Sequence, residues 1–178
     1  SINPADAYRV LPGTKVINGS GRYLMPGLAD MHVHISVPFE NGPLFLNAGI
    51  TTVLSMGTRS TDHEAIFQER ERSRRPDFIG PEFYTVGPLI YGGSPDEVER
   101  MVRENVEHGY DLVKIYRDVS PEAFARLNET ADRLGTKVTG HAQRSRGMQP
   151  VYEYKQDLAH VEEYLYAAFN PTTPGYTM

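Results

Sequence analysis

Strand–helix alternation predicts a parallel α/β fold for this chain, and three observations carry that reading. Short β-branched bursts recur at intervals of roughly 20–30 residues, with amphipathic stretches between them. Two of those stretches open on cap-and-proline signals, Ser94-Pro95 followed by Asp96 and Glu97, and Ser120-Pro121 followed by Glu122. Four of the six histidines fall where bursts end, which a chance scatter would not be expected to produce. Two architectures accommodate the alternation. An open doubly wound sheet would announce a nucleotide site by a glycine fingerprint after an early strand, and Gly87 to Ser94 imitates one only faintly; a flexible strand-to-helix loop is the better reading of it. A (β/α)₈ barrel brings the C-terminal ends of all its strands to one mouth, where the histidines would meet, and is the architecture expected here.

The elements follow in order. Residues 1–26 are a Pro/Gly-punctuated lead-in with two short β-like pieces, Lys15 to Asn18 and Arg22 to Met25, which read as the remnant of a separate small N-terminal β-sheet domain. Pro26-Gly27 turns the chain into the first strong strand, Leu28 to Ile35. Further bursts are Ile50 to Ser55, Glu82 to Val86, Leu112 to Tyr116, Lys137 to His141 and Asp157 to Val161, with helix-like segments near 62–74, 95–108, 121–134 and 147–155. Gly109 and Gly135 sit where helices should stop. That gives about six strands over 27–178, an incomplete barrel with its closing strands uncounted.

Composition removes several functions. With 18 basic and 23 acidic side chains the net charge is −5, against a large phosphate-binding surface, so nucleic acid is not an expected partner. No apolar run is long enough to span a bilayer, and no membrane partner is expected. A cytoplasmic location is expected, with room for a removed leader because the chain begins at Ser1. The absence of cysteine leaves nitrogen and oxygen as the only ligands for any metal.

In an extended strand His32 and His34 share a face while Met31 and Val33 take the other. Two neutral imidazoles in one small space suit a divalent transition metal, although two histidines on a solvated strand face would read the same. His141 and His160 end the fifth and sixth bursts, and Lys114 lies in the fourth, where a structural lysine would pair with Asp118 or Glu122. His63 and His108 fall in helical segments, where a solvated or capping role is the ordinary one. The run Glu69 to Arg75 reads as a solvated helix end. Tyr152, Tyr154, Tyr164 and Tyr166 read as helix packing more readily than as pocket lining. Tyr116, Gln143 and Arg144 directly follow candidate ligands and are the expected substrate contacts.

The ordered set Leu24 to His34, Val113-Lys114-Ile115, Val138 to Ala142 and Leu158-Ala159-His160 resembles the metal-dependent amidohydrolase superfamily, within its imidazolonepropionase-like and prolidase-like branch; Asn47 to Val53 adds to the likeness. The resemblance implies an amidohydrolase-type TIM barrel in which His32 and His34 hold the more buried metal and His141 and His160 the more exposed one. Lys114 would bridge both as a carbamate formed with carbon dioxide, which turns a repelled cation into an anionic ligand. Zinc leads from the nitrogen-rich ligation, with manganese, iron, cobalt and nickel as alternatives. Two ions roughly 3.5–4 Å apart would activate a shared hydroxide toward an amide-type carbon–nitrogen bond in an N-acyl amino acid, a dipeptide or a cyclic amide.

The superfamily's acid–base aspartate, at the end of strand eight, has no candidate here, since Asp157 lies near the start of strand six. The isolated chain is therefore expected to be a poor hydrolase, completed by a missing C-terminal segment or a second copy. The alternative is a catalytically inert barrel fragment, metal-binding or metal-free.

Overall fold

The computed structural model describes residues 9–57 and 62–169. Six parallel strands alternate with helices: β1 Leu28–Val33, α1 Gly42–Asn47, β2 Ile50–Ser55, α2 His63–Ser73, β3 Glu82–Thr85, α3 Pro95–His108, β4 Val113–Ile115, α4 Pro121–Leu134, β5 Val138–Gly140, α5 Gln149–Tyr154, β6 Asp157–Leu158 and α6 Glu162–Phe169. The strands form two ladders in chain order, β1-β2-β3 and β4-β5-β6. Single parallel bridges, Val86 to Leu112 and Ile90 to Ile115, join the ladders between β3 and β4. The array curls, so that the His32 ring of β1 reaches the Ala159 carbonyl just past β6.

Helices begin where the sequence places caps. Ser94 closes a capping box with Glu97 at the start of α3, and the Ser120 hydroxyl accepts from Ala123 N at the start of α4. Each such cap contributes about 1 kcal/mol. Both helices stop at the expected glycines. Three elements lay outside the sequence reading: α1, α6 and a 3₁₀ turn at Arg144–Arg146. Elements of three, six and eight residues are too short to show a clear helical period. β6 keeps two of its expected residues, so His160 lies beyond the strand.

The lead-in departs from expectation. Neither Lys15 to Asn18 nor Arg22 to Met25 is a strand, and Val16, Ile17, Tyr23 and Leu24 are exposed. An isolated strand leaves its N–H and C=O groups to water and has no apolar face to bury, so β-propensity alone does not hold it.

Strand alternation sorts side chains between two sides of the sheet. Val33, Val53 and Phe83 pack with Ile66, Phe39 and Tyr110 in one cluster, while Val113, Ile115 and Val138 pack with α3 and α4 in another. The intervening residues face inward: Leu54, Met56 and Val86 form a smaller cluster, and Lys114 occupies the same alternate position on β4.

One surface reading changes, that of Glu69, while His108 is exposed in the last turn of α3 with its Nδ1 2.7 Å from the Glu104 carbonyl oxygen, the capping role expected of it. Glu69 is buried, its Oε1 accepting from Phe39 N at 3.1 Å and from Arg72 at 2.7 Å, because the loop after β1 folds over α2 and needs its amide satisfied. His63 and His108 stack at 4.4 Å, with His63 Nδ1 2.7 Å from the Tyr110 hydroxyl.

Gly140 ends β5 immediately before His141, and its φ of 128° belongs to glycine. A Cβ there would press on the Ile115 carbonyl of β4 well inside contact distance, and strand backbone cannot yield as a flexible side chain would. Gly140→Ala is expected to destabilise the chain by more than about 3 kcal/mol, combining backbone strain with the clash. Denaturant unfolding checks this as a fall in midpoint with the slope unchanged.

Candidate metal centre

His32 stands on β1 with His34 just past its end, His141 follows β5, and His160 lies two residues after β6. The curl of the sheet brings them into one chain of rings. Centroids are 5.3 Å apart for His32–His34, 4.6 Å for His32–His160 and 4.7 Å for His141–His160.

In each neutral ring the nitrogen that faces an acceptor carries the proton, leaving the other with a lone pair. His32 Nδ1 lies 3.0 Å from the Ala159 carbonyl oxygen, His34 Nδ1 3.1 Å from that of Gly57, and His141 Nδ1 3.1 Å from Glu163 Oε1. His160 Nδ1 is 3.5 Å from Glu162 Oε1. The first three rings therefore donate from Nδ1 and offer Nε2. His141 Nε2 is buried with no hydrogen-bond partner among the described residues. An unpaired buried nitrogen costs roughly 1–3 kcal/mol, a cost that a bound cation would remove.

Electrostatics favour the neutral form of two of these rings, His32 and His160. Burial lowers the pKa of His32, with further lowering by Lys114 and His34 against the opposing Ala159 hydrogen bond. Burial also lowers that of His160, aided by His141 and His32. Lys114 is 1% exposed, and burial alone lowers its pKa from 10.5 to about 8. Its Nζ donates to the Met56 carbonyl at 2.9 Å, and no carboxylate pairs with it among the described residues. Asp118, one partner a structural lysine would have used, instead accepts from the backbone amides of Arg144 and Ser145 at 2.9 and 2.8 Å.

By chemistry this donor set, four imidazoles of which His141 has a buried, unpartnered Nε2, together with an amine whose pKa burial lowers, is of the kind that takes a divalent ion. The rings pack against one another as they stand, and among the described residues no three His, Asp or Glu side chains are gathered into a cage. His34 is exposed, whereas the His141 and His160 side chains are 17% and 28% exposed. β1 has a strand on one side only among the described residues, so its end is less covered than that of β5.

The three expected substrate contacts separate. Tyr116 lies 4.8 Å from the His141 ring and 4.9 Å from Tyr91, partly exposed at the mouth. Gln143 is fully buried, with Oε1 accepting from Val119 N, and so ties the loop after β4 to the loop after β5. Arg144 forms a fork on Glu163, at 3.0 Å from Nε and 2.7 Å from Nη2. Tyr154 packs edge-on against Phe124 at 5.5 Å and Tyr166 lies 4.7 Å under Arg144, while Tyr152 and Tyr164 are exposed.

Glu163 is the residue that the sequence reading missed. Burial alone would raise its pKa, yet hydrogen bonds from His141 and Arg144 hold it at about 2. Its only sequence signal is an acid in the first turn of a helix, which usually means a favourable helix dipole contact.

No family model matches the chain. Among curated proteins, an adenine deaminase of Mesorhizobium japonicum is 37% identical over 57 residues, which is 32% of this chain and 9% of the deaminase. An adenine deaminase of Ruegeria sp. is 38% identical over 58 residues, 30% of this chain and 10% of that protein. The matched segment is thus about a tenth of either relative. Among solved structures, a Xaa-Pro dipeptidase with bound methionine superposes with a TM-score of 0.64 at 18% identity, over 83% of this chain and 52% of the dipeptidase. An amidohydrolase gives 0.67 at 18% identity, over 86% of this chain and 57% of the other. Bottromycin amidohydrolase gives 0.60 at 20% identity, over 72% and 31%. The chain therefore shares its parallel α/β fold with solved amidohydrolases, as the sequence resemblance implied, and spans about half the length of the first two.

Proposed function

We propose that this chain belongs to a metal-dependent hydrolase of the amidohydrolase superfamily acting on carbon–nitrogen bonds of the amide type. The observation that carries the reading is the meeting of His32, His34, His141 and His160 at one strand-end mouth, with the Nε2 of His141 buried and unpaired. These four rings, with Lys114 as a carbamate, would hold two divalent ions, zinc first. Bound there, the ions would supply Lewis acidity toward water and toward a carbonyl oxygen.

The chain's own residues prepare that chemistry. Carbonyls of Ala159 and Gly57 orient His32 and His34, and Tyr116 with Tyr91 offers an aromatic wall beside His141 for a planar or apolar part of the substrate. The names of the similar proteins suggest Xaa-Pro dipeptides and adenine, whose amino group also leaves by carbon–nitrogen cleavage, and the sequence resemblance adds N-acyl amino acids, other dipeptides and cyclic amides to the panel. Metal analysis combined with assays on that panel tests the proposal. Metal uptake with turnover of a panel member supports it, and failure to bind any divalent ion overturns it.

A second reading is a catalytically inert barrel fragment, metal-binding or metal-free; the lack of a ready-made ligand cage among the described residues supports its metal-free form. Metal uptake with no hydrolysis in the same assays would select its metal-binding form, and no uptake its metal-free form.

Lys114 gives a separate outcome. Its neutral amine would form a nitrogen–carbon bond to carbon dioxide and release one proton, so carbamate formation needs the unprotonated form. With the pKa lowered to about 8, that form dominates above pH 8 instead of above 10.5. With ¹³C-bicarbonate, a carbamate resonance is expected to grow in the metal-free chain as pH rises through about 8. Carboxylation is expected to be complete once metal is bound. An unmodified Lys114 in the fully metallated chain would exclude the carbamate.

A further inference from the structure

We infer that Glu163 is a positioning residue for the candidate centre: it fixes the tautomer and the plane of His141 so that Nε2 is presented to the metal. The inference rests on the metal reading above and adds a residue outside the ligand set. Glu163 is fully buried, and its oxygens are already engaged. Oε1 lies 3.1 Å from His141 Nδ1 and 2.7 Å from Arg144 Nη2, and Oε2 lies 3.0 Å from Arg144 Nε. A buried carboxylate needs a paired cation, and the Arg144 fork meets that need by itself. The contact with His141 is therefore additional to charge balance, and its geometric effect is to hold the proton on Nδ1.

The assembly is braced from several elements. Asp118, in the loop after β4, accepts from the amides of Arg144 and Ser145. Gln156 donates to the His141 carbonyl at 2.8 Å. Arg144 stacks on Tyr166 of α6, the helix that carries Glu163. On the far side of the His141 ring stand His160, at 4.7 Å, and Tyr116, at 4.8 Å, and the buried Nε2 has no partner among the described residues. One ring nitrogen is thus fixed by a carboxylate while the other is left open. Outer partners of this kind typically contribute about 10–100-fold to metal affinity by orienting the ring and raising its basicity.

The test uses the whole chain, with Zn²⁺ alone as probe. Glu163→Gln by itself would leave the half-buried Arg144 without its counter-charge, so the double substitution Arg144→Met with Glu163→Gln removes both charges together. The double variant is expected to bind the Zn²⁺ assigned to His141 and His160 about 10–100-fold more weakly, with the one assigned to His32 and His34 held within about threefold. With Co²⁺ in place of Zn²⁺, its visible absorption is expected to change in shape only for the ion assigned to His141 and His160. Zn²⁺ affinities within threefold of the parent at both sites, in a variant with unchanged circular dichroism, would overturn the inference. Should the variant fail to fold, ¹⁵N NMR of the metal-free parent decides: His141 protonated at Nδ1 supports the assignment, and protonation at Nε2 overturns it. Should the parent bind no Zn²⁺ at all, the metal reading fails, and the same tautomer measurement still decides whether Glu163 sets the ring.

Discussion

Lys114→Met is expected to abolish metal-dependent function while making the metal-free chain more stable. The methionine keeps the volume of the buried stem and removes the amine, which has no carboxylate partner among the described residues. A lysine whose pKa falls from 10.5 to about 8 on folding opposes folding at neutral pH by roughly 3 kcal/mol. Losing the hydrogen bond to the Met56 carbonyl returns about 1 kcal/mol of that, leaving a net gain of roughly 2 kcal/mol.

The pH dependence carries a definite sign. Below pH 8 both folded and unfolded parent chains hold the proton and the full cost of burying it applies. Between 8 and 10.5 the unfolded chain binds more protons than the folded one, so the parent's stability rises with pH and the advantage of methionine shrinks and then reverses, leaving the parent ahead by the hydrogen bond, about 1 kcal/mol, above 10.5. Denaturant midpoints of the two chains between pH 6 and 10.5 check this, and a less stable variant at pH 7 would show that the amine is a structural contact. On the functional side, deletion of a direct ligand should exceed the about 10–100-fold loss in metal affinity typical of an outer partner.

Zinc itself should be the largest stabiliser of this chain. A ligand that binds only the folded state, at a hundred times its dissociation constant, contributes about 2.7 kcal/mol. For a domain of this size that is a rise in melting temperature of roughly 5–10 °C. His32→Ala and His34→Ala should remove the shift due to one ion, and His141→Ala and His160→Ala that due to the other. His63→Ala is the control. His63 and His108 stack with their planes only 22° apart, so their in-plane lone pairs run side by side and cannot converge on one ion. Melting curves with and without Zn²⁺ should show the parent's shift intact in His63→Ala, whatever that substitution does to the metal-free chain. A zinc shift that survives His141→Ala and His160→Ala together would place the ion elsewhere.

Much of this was legible in the sequence. Ser94, Ser120, Gly109 and Gly135 mark the two long helices because capping is a local exchange between a side chain and backbone groups a few residues away. The strand at Ile50–Ser55 was read to the residue, since β-branched density and turn signals are local too. The failures share a cause. The lead-in has β-propensity at Val16 and Ile17, but a strand exists only when another pairs with it. Glu69 looked like part of a solvated charge run until the loop after β1 brought the Phe39 amide to it.

The candidate centre divides along the same line. Two-residue alternation alone sets His32 and His34 on one face of β1, and parallel strand order alone sends His141 and His160 to the same end of the sheet. Which nitrogen of His32 and of His34 is free was decided by acceptors remote in the chain: Ala159, 127 residues from His32, and Gly57, 23 residues from His34. Lys114 had Asp118 close by in sequence, yet folding committed that carboxylate to the amides of residues 144 and 145 and left the buried amine bonded to the Met56 carbonyl, with no carboxylate partner among the described residues. Residue spacing determines which face and which end a side chain occupies, because backbone geometry repeats locally. The proton on a ring and the charge on an amine depend on what the packed chain places within about 3 Å, and local sequence carries no trace of that.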